Sequence, residues 1–498
     1  MNLSELLKQI VVIPNEVDRD VKRLISDSRQ IQKNDLFLAI KGTQTDGSRF
    51  VPQAISQGAA AVLYDASSPN DVIAIEQQIP LIPIYQLQNK LGELGARFYG
   101  EPGQQLQMFG VTGTNGKTSC THFIAQILQT LHTPCGVIGT LGSGMYGVLG
   151  EAGLTTPDAI TLQKTLREFV SHGAKAAAME VSSHSIDQGR VNNLAFKVGI
   201  FTNLTQDHLD YHGSMEAYAK VKYNYLAEWP IQHLIINADD NYGEQWIREF
   251  ASEKSVYAYS VLPLTSLLTS GIEGLIYTDK VELTLNGVKA RVFSPWGESD
   301  LTLPLIGQFN LSNVLAVLSA LCAAGFSFAD VIKQFANLQS VPGRMQHIGG
   351  KNAPLIIVDY AHTPDALEKV LQALRLHVKG KLYCVFGCGG DRDHGKRPIM
   401  GEIVERLADG FIITNDNPRH EKPEDIAAQI VKGLIYPERA TVMLDRSQAI
   451  EKSIQLATKD DCILIAGKGA ERYQQIGDEK IPFDDVEQAI ALLEQVGK

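Results

Sequence analysis

Short apolar runs with the length of β-strands alternate with longer helical patterns along nearly the whole chain. This alternation is typical of α/β proteins that contain parallel sheets. We therefore predict an α/β fold. The predicted strands include Asp35–Ile40, Ala59–Tyr64, Leu106–Thr112, Ala176–Met179, Leu355–Asp359, Leu382–Phe386, Phe411–Thr414 and Cys462–Ala466. The predicted helices include Asn89–Tyr99, Thr121–Leu131 and one that begins at Thr363-Pro364, an N-cap residue followed by proline.

Turn-forming residues divide this pattern into three blocks. The first block ends near Leu87, and Val341-Pro342-Gly343 forms a turn suited to a linker before the third block. A chain of 498 residues also suggests about three domains at roughly 150 residues each. We predict domains at 1–88, 89–341 and 342–498.

Composition and charge narrow the class of protein. Hydrophobic residues make up 44% of the chain, which excludes wholesale disorder. The formal net charge is −11, which argues against a sequence-independent nucleic-acid binder because such proteins need a basic face. Small anionic ligands remain compatible with this charge, since screening over about 8 Å makes local charge more important than the total.

Three features concern the compartment. The N-terminus lacks a basic region before an apolar run, so no signal peptide is expected. The charge-free stretch Ser255–Ile272 contains proline, glycine, serine and threonine and is too polar to span a bilayer. The six cysteines show no CxxC spacing, and we expect reduced structural thiols in a cytoplasmic protein.

The strongest local signal is residues 113–119, GTNGKTS, between a predicted strand and a predicted helix. Glycines in such a loop let backbone N–H groups approach phosphates, and the helix N-terminus adds partial positive charge. The spacing is shorter than that of a strict Walker sequence. A strand, a GxxGKT loop and a helix in this order nevertheless predict nucleotide binding, with Lys117 on the β- and γ-phosphates and Thr118 on Mg²⁺.

Two further clusters follow strand-like runs in the same block. Glu180 and His184 follow Ala176–Met179, and His208 lies within residues 202–212. Taken alone, each histidine fits an ordinary polar or packing role. An acid and a histidine at separate strand ends, in one block with a phosphate loop, favour contact with Mg²⁺ or phosphate. Because Mg²⁺ prefers oxygen ligands, Glu180 is the better candidate for the metal.

The third block places charged loops after its predicted strands, where ligands of open α/β sheets bind. These loops start at Gly387, Asn415 and Gly467. Taken singly, their charges fit solvated turns equally well. Together, Arg392, Arg419 and Glu471 suit an amino-acid ligand, because arginine binds carboxylates in a bidentate manner and acidic side chains hold an ammonium group.

In their order along the chain, these motifs resemble the Mur ligase family from end to end. The matching segments are 113–119, 180–184, 203–212, 307–313, 343–344 and 359–364. The resemblance implies a central P-loop-type ATPase domain with a parallel sheet. It also implies a UDP-binding α/β domain before the ATPase domain and a Rossmann-like domain after it.

The loop Asp416–Arg419, DNPR, resembles that of family members that add meso-diaminopimelate, whereas lysine-adding members lack the arginine. The resemblance thus implies ATP-dependent addition of meso-diaminopimelate to UDP-N-acetylmuramoyl-L-alanyl-D-glutamate through an acyl phosphate. The products are the UDP-linked tripeptide, ADP and phosphate, and the step belongs to peptidoglycan precursor synthesis. Diaminopimelate is lysine with an additional carboxylate, with which Arg419 can pair.

The resemblance also implies the role of individual residues. Catalytic roles fall to Lys117, Glu180, His208 and Lys222. The Mg²⁺ contacts are Thr118, Glu180, His208 and Lys222, the last as N6-carboxylysine, a carbamate. The ATP contacts are Gly113, Thr114, Asn115, Gly116, Lys117, Thr118, Ser119, Asn310, Arg344 and Asp359. The UDP-sugar and dipeptide contacts are Ser26, Ser28, Thr43, Gln44, Thr45, Thr155, Thr156, Ser182, Gln188 and Arg190. The diaminopimelate contacts are Arg392, Asp416, Asn417, Pro418, Arg419, Gly467 and Glu471.

One departure from the family pattern concerns residues 467–471, which read GKGAE where the family usually has GKGHE. The role of that histidine is therefore dispensable here or supplied by another group.

Three alternatives remain open at this point. The same ligase could add L-lysine, or the chain could resemble folylpolyglutamate synthetase within the same superfamily. A nucleotide-binding regulatory ATPase belongs to a different class, and it would predict a switch sequence that we do not find. We expect a monomer with small-molecule substrates, without nucleic-acid partner or membrane segment.

Overall fold

The computed structural model describes residues 1–42, 46–151, 153–263, 270–284, 287–350 and 352–495. The predicted α/β fold is confirmed. Contacts divide the chain into two compact units. The first comprises Met1–Gly110, Thr133–Lys197 and Glu228–Pro230, and the second comprises Val111–His132, Val198–Ala227 and Ile231–Lys498. The boundaries 1–88, 89–341 and 342–498 stay a prediction.

The first unit contains a five-stranded sheet close to the N-terminus. In spatial order its strands are Leu24–Ile25, Leu36–Ala39, Ala61–Ala66, Ile79–Tyr85 and Ala74–Glu76. The first four are parallel and the last is antiparallel. Strand Cys135–Gly139 of this unit pairs in parallel with Ala176–Glu180 and antiparallel with Gly142–Met145. Gly142–Met145 pairs in turn with the antiparallel strand Val148–Leu149. Its helices are Leu3–Leu6, Val51–Ser56, Leu87–Phe98, Ala159–Ser171 and Ser183–Asp187.

Two strands, Gln107–Thr112 and Phe196–Phe201, contribute residues to both units. In the second unit, Ile231–Asn237, Val256–Ser260 and Gly274–Thr284 run in parallel, and Gly287–Ser294 and Gly297–Leu303 continue antiparallel. The helices in this part of the chain are Lys117–Thr130, Leu209–His212, Met215–Glu228, Asn241–Phe250, Gln308–Ala323 and Phe328–Gln334.

A six-stranded sheet forms the C-terminal part of the second unit. In spatial order its strands are Gln346–Gly349, Leu355–Asp359, Cys462–Ala466, Leu382–Phe386, Gly410–Ile413 and Thr441–Val442, and only the first is antiparallel. The central strand Cys462–Ala466 is buried throughout, as its unbroken apolar sequence requires. A separate hairpin pairs Tyr473–Ile476 with Glu479–Pro482. The helices are Pro364–Arg375, Lys396–Leu407, Pro423–Val431, Arg446–Leu456 and Asp485–Gln495.

Several local predictions can be compared with the structure. Helix Pro364–Arg375 begins as predicted, because the Thr363 hydroxyl accepts the backbone N–H of Ala366. Helix Lys117–Thr130 begins four residues before the predicted Thr121, directly at the phosphate loop. All six cysteines are buried free thiols, as expected. In the part of the chain that the structure describes, no helix combines the length and apolar character that crossing a membrane requires.

A buried ion pair contacts two strand ends of the C-terminal sheet. The Arg446 and Asp485 side chains are fully buried and joined by two 2.7 Å hydrogen bonds. Arg446 also donates to the backbone oxygens of Asn415 and Ala466, which lie at the ends of two strands. The pair therefore fixes the positions of the two loops that follow those strands.

We predict that Arg446→Met destabilises the protein by about 3–5 kcal/mol, because it leaves the Asp485 carboxylate buried without its partner. The double variant Arg446→Met/Asp485→Leu removes both charges and should recover much of that loss. Differential scanning calorimetry of both variants and the wild type measures the effect. A single variant with an unchanged melting temperature would contradict this role.

Candidate functional site

The phosphate loop takes its shape from the segment that follows strand Phe196–Phe201. Gly113 has a φ of +146°, and a Cβ at this position would lie 1.9 Å from Thr202 Oγ1. The backbone N–H of Thr114 donates to the Asn203 backbone oxygen, and that of Asn115 donates to Asn203 Oδ1, both at 2.9 Å. Only glycine fits at position 113, and the loop backbone is held in place without a nucleotide.

The loop leads directly into the N-terminus of a helix, where the helix dipole attracts anions. Gly116, with a φ of +89°, is the N-cap of helix Lys117–Thr130, and no side chain caps the helix there. The first N–H groups of a helix lack intrahelical partners and attract phosphate oxygens. Lys117 Nζ donates to the backbone oxygens of Gly113 and Thr114, each at 2.8 Å. Its ammonium group thus lies beside the loop that would hold the phosphates.

Lys222, which the resemblance alone had pointed to, lies beside the same loop. Its side chain on helix Met215–Glu228 is buried, and Nζ is 3.1 Å from the Gly113 oxygen and 3.3 Å from Thr112 Oγ1. Burial and, secondly, the charge of Lys117 hold the pKa of Lys222 well below its ordinary value. Burial therefore shifts Lys222 toward its neutral form, a nucleophile, and distinguishes it from a solvated lysine.

Three side chains surround the buried carboxylate of Asp207. Its Oδ2 atom is 3.3 Å from His208 Nε2 and 3.6 Å from His362 Nε2, and its Oδ1 atom is 3.6 Å from Lys396 Nζ. Burial alone would raise the pKa of Asp207, but the hydrogen bond from His362 and the charges of Lys396 and His208 hold it well below its ordinary value. The carboxylate connects His208 to His362 and Lys396 of the C-terminal segment.

Arg344 contacts the helix that follows the phosphate loop, and Asp359 binds the backbone of the residue after Arg344. Arg344 Nη2 donates to Thr118 Oγ1 at 3.0 Å, and its guanidinium group lies 4.2 Å from the ring centre of Tyr360. Asp359 accepts the backbone N–H groups of Met345 and Ala361. Burial raises the pKa of Asp359, and the charge of Arg344 opposes the rise. The structure thus brings the predicted ATP residues Arg344 and Thr118 into direct contact.

The side chains of the other predicted ATP residues are buried or make hydrogen bonds within the protein. Ser119 is buried in the first turn of helix Lys117–Thr130. Asn310 is buried, and its Nδ2 atom donates to the Ile306 backbone oxygen at 2.9 Å. Asn115 Nδ2 lies 3.2 Å from Asp365 Oδ2, a contact that the sequence did not predict.

In the first unit, the predicted dipeptide residues form one hydrogen-bonded group. Thr156 Oγ1 donates to the Glu180 backbone oxygen at 2.7 Å and lies 3.3 Å from Ser182 Oγ. Arg190 donates to the Thr156 backbone oxygen and, through Nε, to Gln188 Oε1. Thr156 is therefore held against Ser182 and Arg190, which lie 26 and 34 residues further along the chain, around the end of strand Ala176–Glu180.

Glu180 itself is buried in this unit, at the end of its strand. Its two carboxylate oxygens accept the backbone N–H of Thr140 at 2.8 Å and the Thr140 hydroxyl at 3.2 Å. The Thr140 hydroxyl also lies 3.3 Å from Thr155 Oγ1. This set of neighbours orients the carboxylate and places the predicted residue Thr155 next to it.

The predicted UDP residues lie near the five-stranded sheet. Ser28 is buried, and its hydroxyl donates to Gln53 Oε1 at 2.9 Å, while Ser26 is exposed. Thr43, Gln44 and Thr45 lie outside the described residues.

A Mg²⁺ site is not preassembled among the described residues, because no group of three or more His, Cys, Asp or Glu side chains there is arranged to hold a metal ion. This arrangement suits Mg²⁺, which usually retains waters and binds one or two carboxylates together with substrate phosphates. Thr118 Oγ1 and the buried Asp207 carboxylate are oxygen donors of the right kind. A carbamate on Lys222 would add two more oxygen donors, so the oxygen donors of this region fit Mg²⁺.

The three predicted strand-end loops of the C-terminal sheet meet, as expected. A Cβ on Gly387 would lie 2.2 Å from the Thr414 oxygen, and one on Gly467 would lie 2.6 Å from Asp416 Oδ2. Lys468, which the sequence had not singled out, is fully buried among them, and its Nζ donates to Asn417 Oδ1 and Glu471 Oε2 at 3.0 Å.

The carboxylates of this site have defined partners. Asn417 Nδ2 donates to Glu471 Oε2 at 2.8 Å, so this oxygen accepts from both Lys468 and Asn417. Burial alone would raise the pKa of Asp416, but the charges of Lys468 and Arg446 lower it. Both carboxylates are thus held by this network of amide and cationic groups.

Two guanidinium groups face the same loops. Arg419 has a φ of +50°, and its Nη1 atom donates to the Gly390 backbone oxygen at 2.7 Å. Burial and, secondly, the charge of Arg392 lower the pKa of Arg419. Pro418 precedes it, with its backbone oxygen against Gly390. A Cβ on Gly389 would lie 2.9 Å from Arg419 Nη1 and 3.7 Å from Arg392 Cγ, so both side chains lie against one glycine. Two like charges in one region repel each other, and an anion bound between them would relieve the repulsion.

The sequence analysis did not single out Asp207, Lys396 or Lys468 as functional residues. Asp207 is adjacent to His208 and Lys396 follows Arg392 by four residues, so proximity to predicted residues was the only available signal. An isolated Asp or Lys most often lies on a solvated surface, and its burial depends on distant parts of the chain.

Comparison with known families gives three matches along the chain. The family described as "Mur ligase family, catalytic domain" matches residues 20–99, "Mur ligase middle domain" matches residues 111–321, and "Mur ligase, glutamate ligase domain" matches residues 343–469. These matches cover most of the chain in the order that the sequence motifs had indicated.

Similar proteins extend over nearly the full length. The UDP-N-acetylmuramoyl-L-alanyl-D-glutamate--2,6-diaminopimelate ligase of Coxiella burnetii is 46% identical over 94% of this chain and 95% of its own length. The protein of the same name from Pseudomonas aeruginosa is 45% identical over 98% and 97%. A solved structure of a ligase of that name covers 100% of this chain and 99% of its own, with 32% identity and a TM-score of 0.69.

His122 should make the stability of the protein depend on pH. It is buried in helix Lys117–Thr130, and burial and then the charge of Arg344 lower its pKa to about 4. Between about pH 6.5 and 4 the unfolded chain binds a proton at His122 that the folded chain does not. We predict a loss of stability approaching about 3 kcal/mol as the pH falls through this range.

The midpoint of urea denaturation, measured from pH 7.5 to 4.5, tests this prediction. The variant His122→Gln should show a weaker dependence than the wild type, whereas the control His172→Gln, at an exposed position, should not differ. An equal slope for His122→Gln and wild type would refute the assignment.

Proposed function

Because this chain belongs to the Mur ligase family, we propose that it is an ATP-dependent ligase that adds meso-diaminopimelate to UDP-N-acetylmuramoyl-L-alanyl-D-glutamate. The observation that carries the amino-acid assignment is that the side chains of Arg392 and Arg419 both lie against Gly389, with the charge of Glu471 also acting on Arg419. Together they can bind a substrate with a second carboxylate. Near-full-length similarity to ligases of this name supports the same assignment.

In the proposed reaction, the carboxylate is first activated by phosphorylation and then converted to an amide. A carboxylate oxygen of the dipeptide attacks the γ-phosphorus of ATP, and the bond to ADP breaks, which gives an acyl phosphate. The uncharged amine of diaminopimelate then attacks the acyl carbon, and the tetrahedral intermediate loses one proton from the nitrogen and expels phosphate as the amide forms. Because the substrate carboxylate is the nucleophile, no serine or cysteine nucleophile is needed.

The main barrier is charge, since an anion must attack a polyanion. Lys117 and the uncapped N-terminus of helix Lys117–Thr130 would bind the phosphates and spread the negative charge of the transition state. Mg²⁺, for which we propose Thr118, Glu180, His208 and carbamylated Lys222 as contacts, would supply further neutralisation when bound. Arg344, beside Thr118, would add a charge-assisted hydrogen bond to ATP.

The remaining assignments are part of the same proposal. Asn310 and Asp359 would bind the nucleoside of ATP, and Thr155, Thr156, Ser182, Gln188 and Arg190 would bind the dipeptide. Ser26, Ser28, Thr43, Gln44 and Thr45 would bind the UDP-sugar. We propose a monomer that acts in the cytoplasm, where ATP and UDP-linked precursors are available, in peptidoglycan synthesis and thereby in cell division and cell shape.

The deciding assay measures phosphate release by the purified protein with ATP, Mg²⁺ and UDP-N-acetylmuramoyl-L-alanyl-D-glutamate. Release should require meso-diaminopimelate. Equal turnover with L-lysine would show a lysine-adding ligase, a requirement for a folate and glutamate would show a folylpolyglutamate synthetase, and release without an amino acid would show a regulatory ATPase.

We predict that Arg419→Ala raises the KM for diaminopimelate by about 10- to 100-fold, because a charge-assisted hydrogen bond contributes about 1.5–3 kcal/mol. The KM values for ATP and the UDP-dipeptide should not change. The control Arg439→Ala removes an exposed arginine of the same unit and should behave as the wild type. An unchanged KM for diaminopimelate in Arg419→Ala would remove Arg419 from the site.

Lys222 should be carbamylated, since burial favours the neutral form of its amine, which can attack CO₂, with Nζ bonding to carbon and losing a proton. We predict that activity falls in CO₂-free buffer and returns with bicarbonate, and that Lys222→Ala abolishes it. Lys220→Ala, on the exposed side of the same helix, should keep the bicarbonate response. Full activity without CO₂, together with an intact-protein mass that lacks the added 44 Da of CO₂, would exclude this role.

A further inference from the structure

The hairpin that pairs Tyr473–Ile476 with Glu479–Pro482 has no part in the chemistry described above, yet it is bonded to the amino-acid loop. The backbone N–H of Arg419 donates to the Gln475 oxygen at 3.1 Å, and that of Gly477 donates to the Arg419 oxygen at 2.7 Å. The Gln475 N–H donates to Asn417 Oδ1 at 2.9 Å. The hairpin is therefore fixed against two residues of the proposed diaminopimelate site.

The first residue of this hairpin, Tyr473, lies beside the charged network of that site. Its ring centre is 5.6 Å from Lys468 Nζ, the ammonium group that bonds to Asn417 and Glu471. Lys480 Nζ lies 4.3 Å from the same ring centre. Two cations near one aromatic ring restrict the positions that the ring can take.

The phenol of Tyr473 is available for a ligand. The side chain is only partly buried, and among the described residues the hydroxyl group has no hydrogen-bond partner. Burial and the charge of Glu471 raise the pKa of Tyr473, while Arg419 and Arg392 oppose the rise. The hydroxyl thus carries its proton at neutral pH and lies within electrostatic range of both guanidinium groups and of Glu471.

We infer that Tyr473 is a specificity-determining residue whose hydroxyl donates a hydrogen bond to the carboxylate that Arg392 and Arg419 bind. This inference rests on the proposed function and deepens it, because it names a neutral donor at a site otherwise built from charges. Two guanidinium groups attract any anion, whereas a hydroxyl on a rigid hairpin adds a preferred direction. A substrate that lacks the second carboxylate gains nothing from it.

The test compares Tyr473→Phe, which removes only the hydroxyl, with the wild type. We expect the KM for meso-diaminopimelate to rise about tenfold or more, since the bond has a charged acceptor. The kcat and the KM for ATP should change little. The inhibition constant of L-lysine, which lacks the second carboxylate, should be the same for both proteins. The control Tyr436→Phe, at an exposed tyrosine of the same unit, should match the wild type throughout.

Each other outcome overturns the inference. An unchanged KM for diaminopimelate means that the hydroxyl does not contact the substrate. Equal weakening of L-lysine and diaminopimelate means that the variant has disturbed the site as a whole, so that Tyr473 is structural. If the wild type neither binds diaminopimelate by calorimetry nor turns it over, the proposed function fails and this inference fails with it. An active wild type with an unaffected variant refutes the inference alone.

Discussion

Two lysine amines approach one backbone oxygen, and the chemistry of the phosphate loop depends on how that conflict is resolved. Lys117 Nζ and Lys222 Nζ lie 2.8 Å and 3.1 Å from the oxygen of Gly113. Two ammonium groups in such a place would repel each other in a poorly solvated environment. Burial and the charge of Lys117 lower the pKa of Lys222, which reduces this repulsion. Conversion of the neutral amine to a carbamate would replace a potential repulsion by an attraction.

The geometry that creates this conflict comes from the glycines of the loop. A side chain at Gly113 would collide with Thr202, and one at Gly116 would lie 2.5 Å from Asn313 Oδ1, so the loop can approach both neighbours only without Cβ atoms. The same close approach leaves the helix N-terminus uncapped. Asp207 then supplies the nearby negative charge, and its contacts with Lys396 and His362 attach the C-terminal segment to this loop region.

The sequence predicted the buried strands best and the charge networks worst. Leu355–Asp359, Leu382–Phe386 and Cys462–Ala466 have the predicted bounds, because continuous apolar runs between polar loops have few alternatives. Helix Lys117–Thr130 begins early because its first turn, Lys-Thr-Ser, carries no apolar periodicity and is stabilised by loop geometry. The partners of Asp207 and Lys468 could not be predicted, since they are set by contacts between residues distant in the sequence. The assignments of individual site residues to ligands stay predictions for the same reason.

In the proposed amino-acid site, the choice of amino acid would follow from the balance of charge at the strand ends. Arg392, Arg419 and Lys468 face two carboxylates, Asp416 and Glu471, so one positive charge is in excess in this group. The amine must be uncharged when it attacks. In that form lysine is neutral overall, whereas diaminopimelate retains one net negative charge. The excess positive charge of the proposed site therefore favours diaminopimelate when the attacking amine is uncharged. Before that amine loses its proton, lysine is a cation, and the same excess charge disfavours its binding. Discrimination on this basis needs no steric exclusion of the smaller substrate, and a neutral hydroxyl donor such as that of Tyr473 can direct the carboxylate without adding to the excess charge.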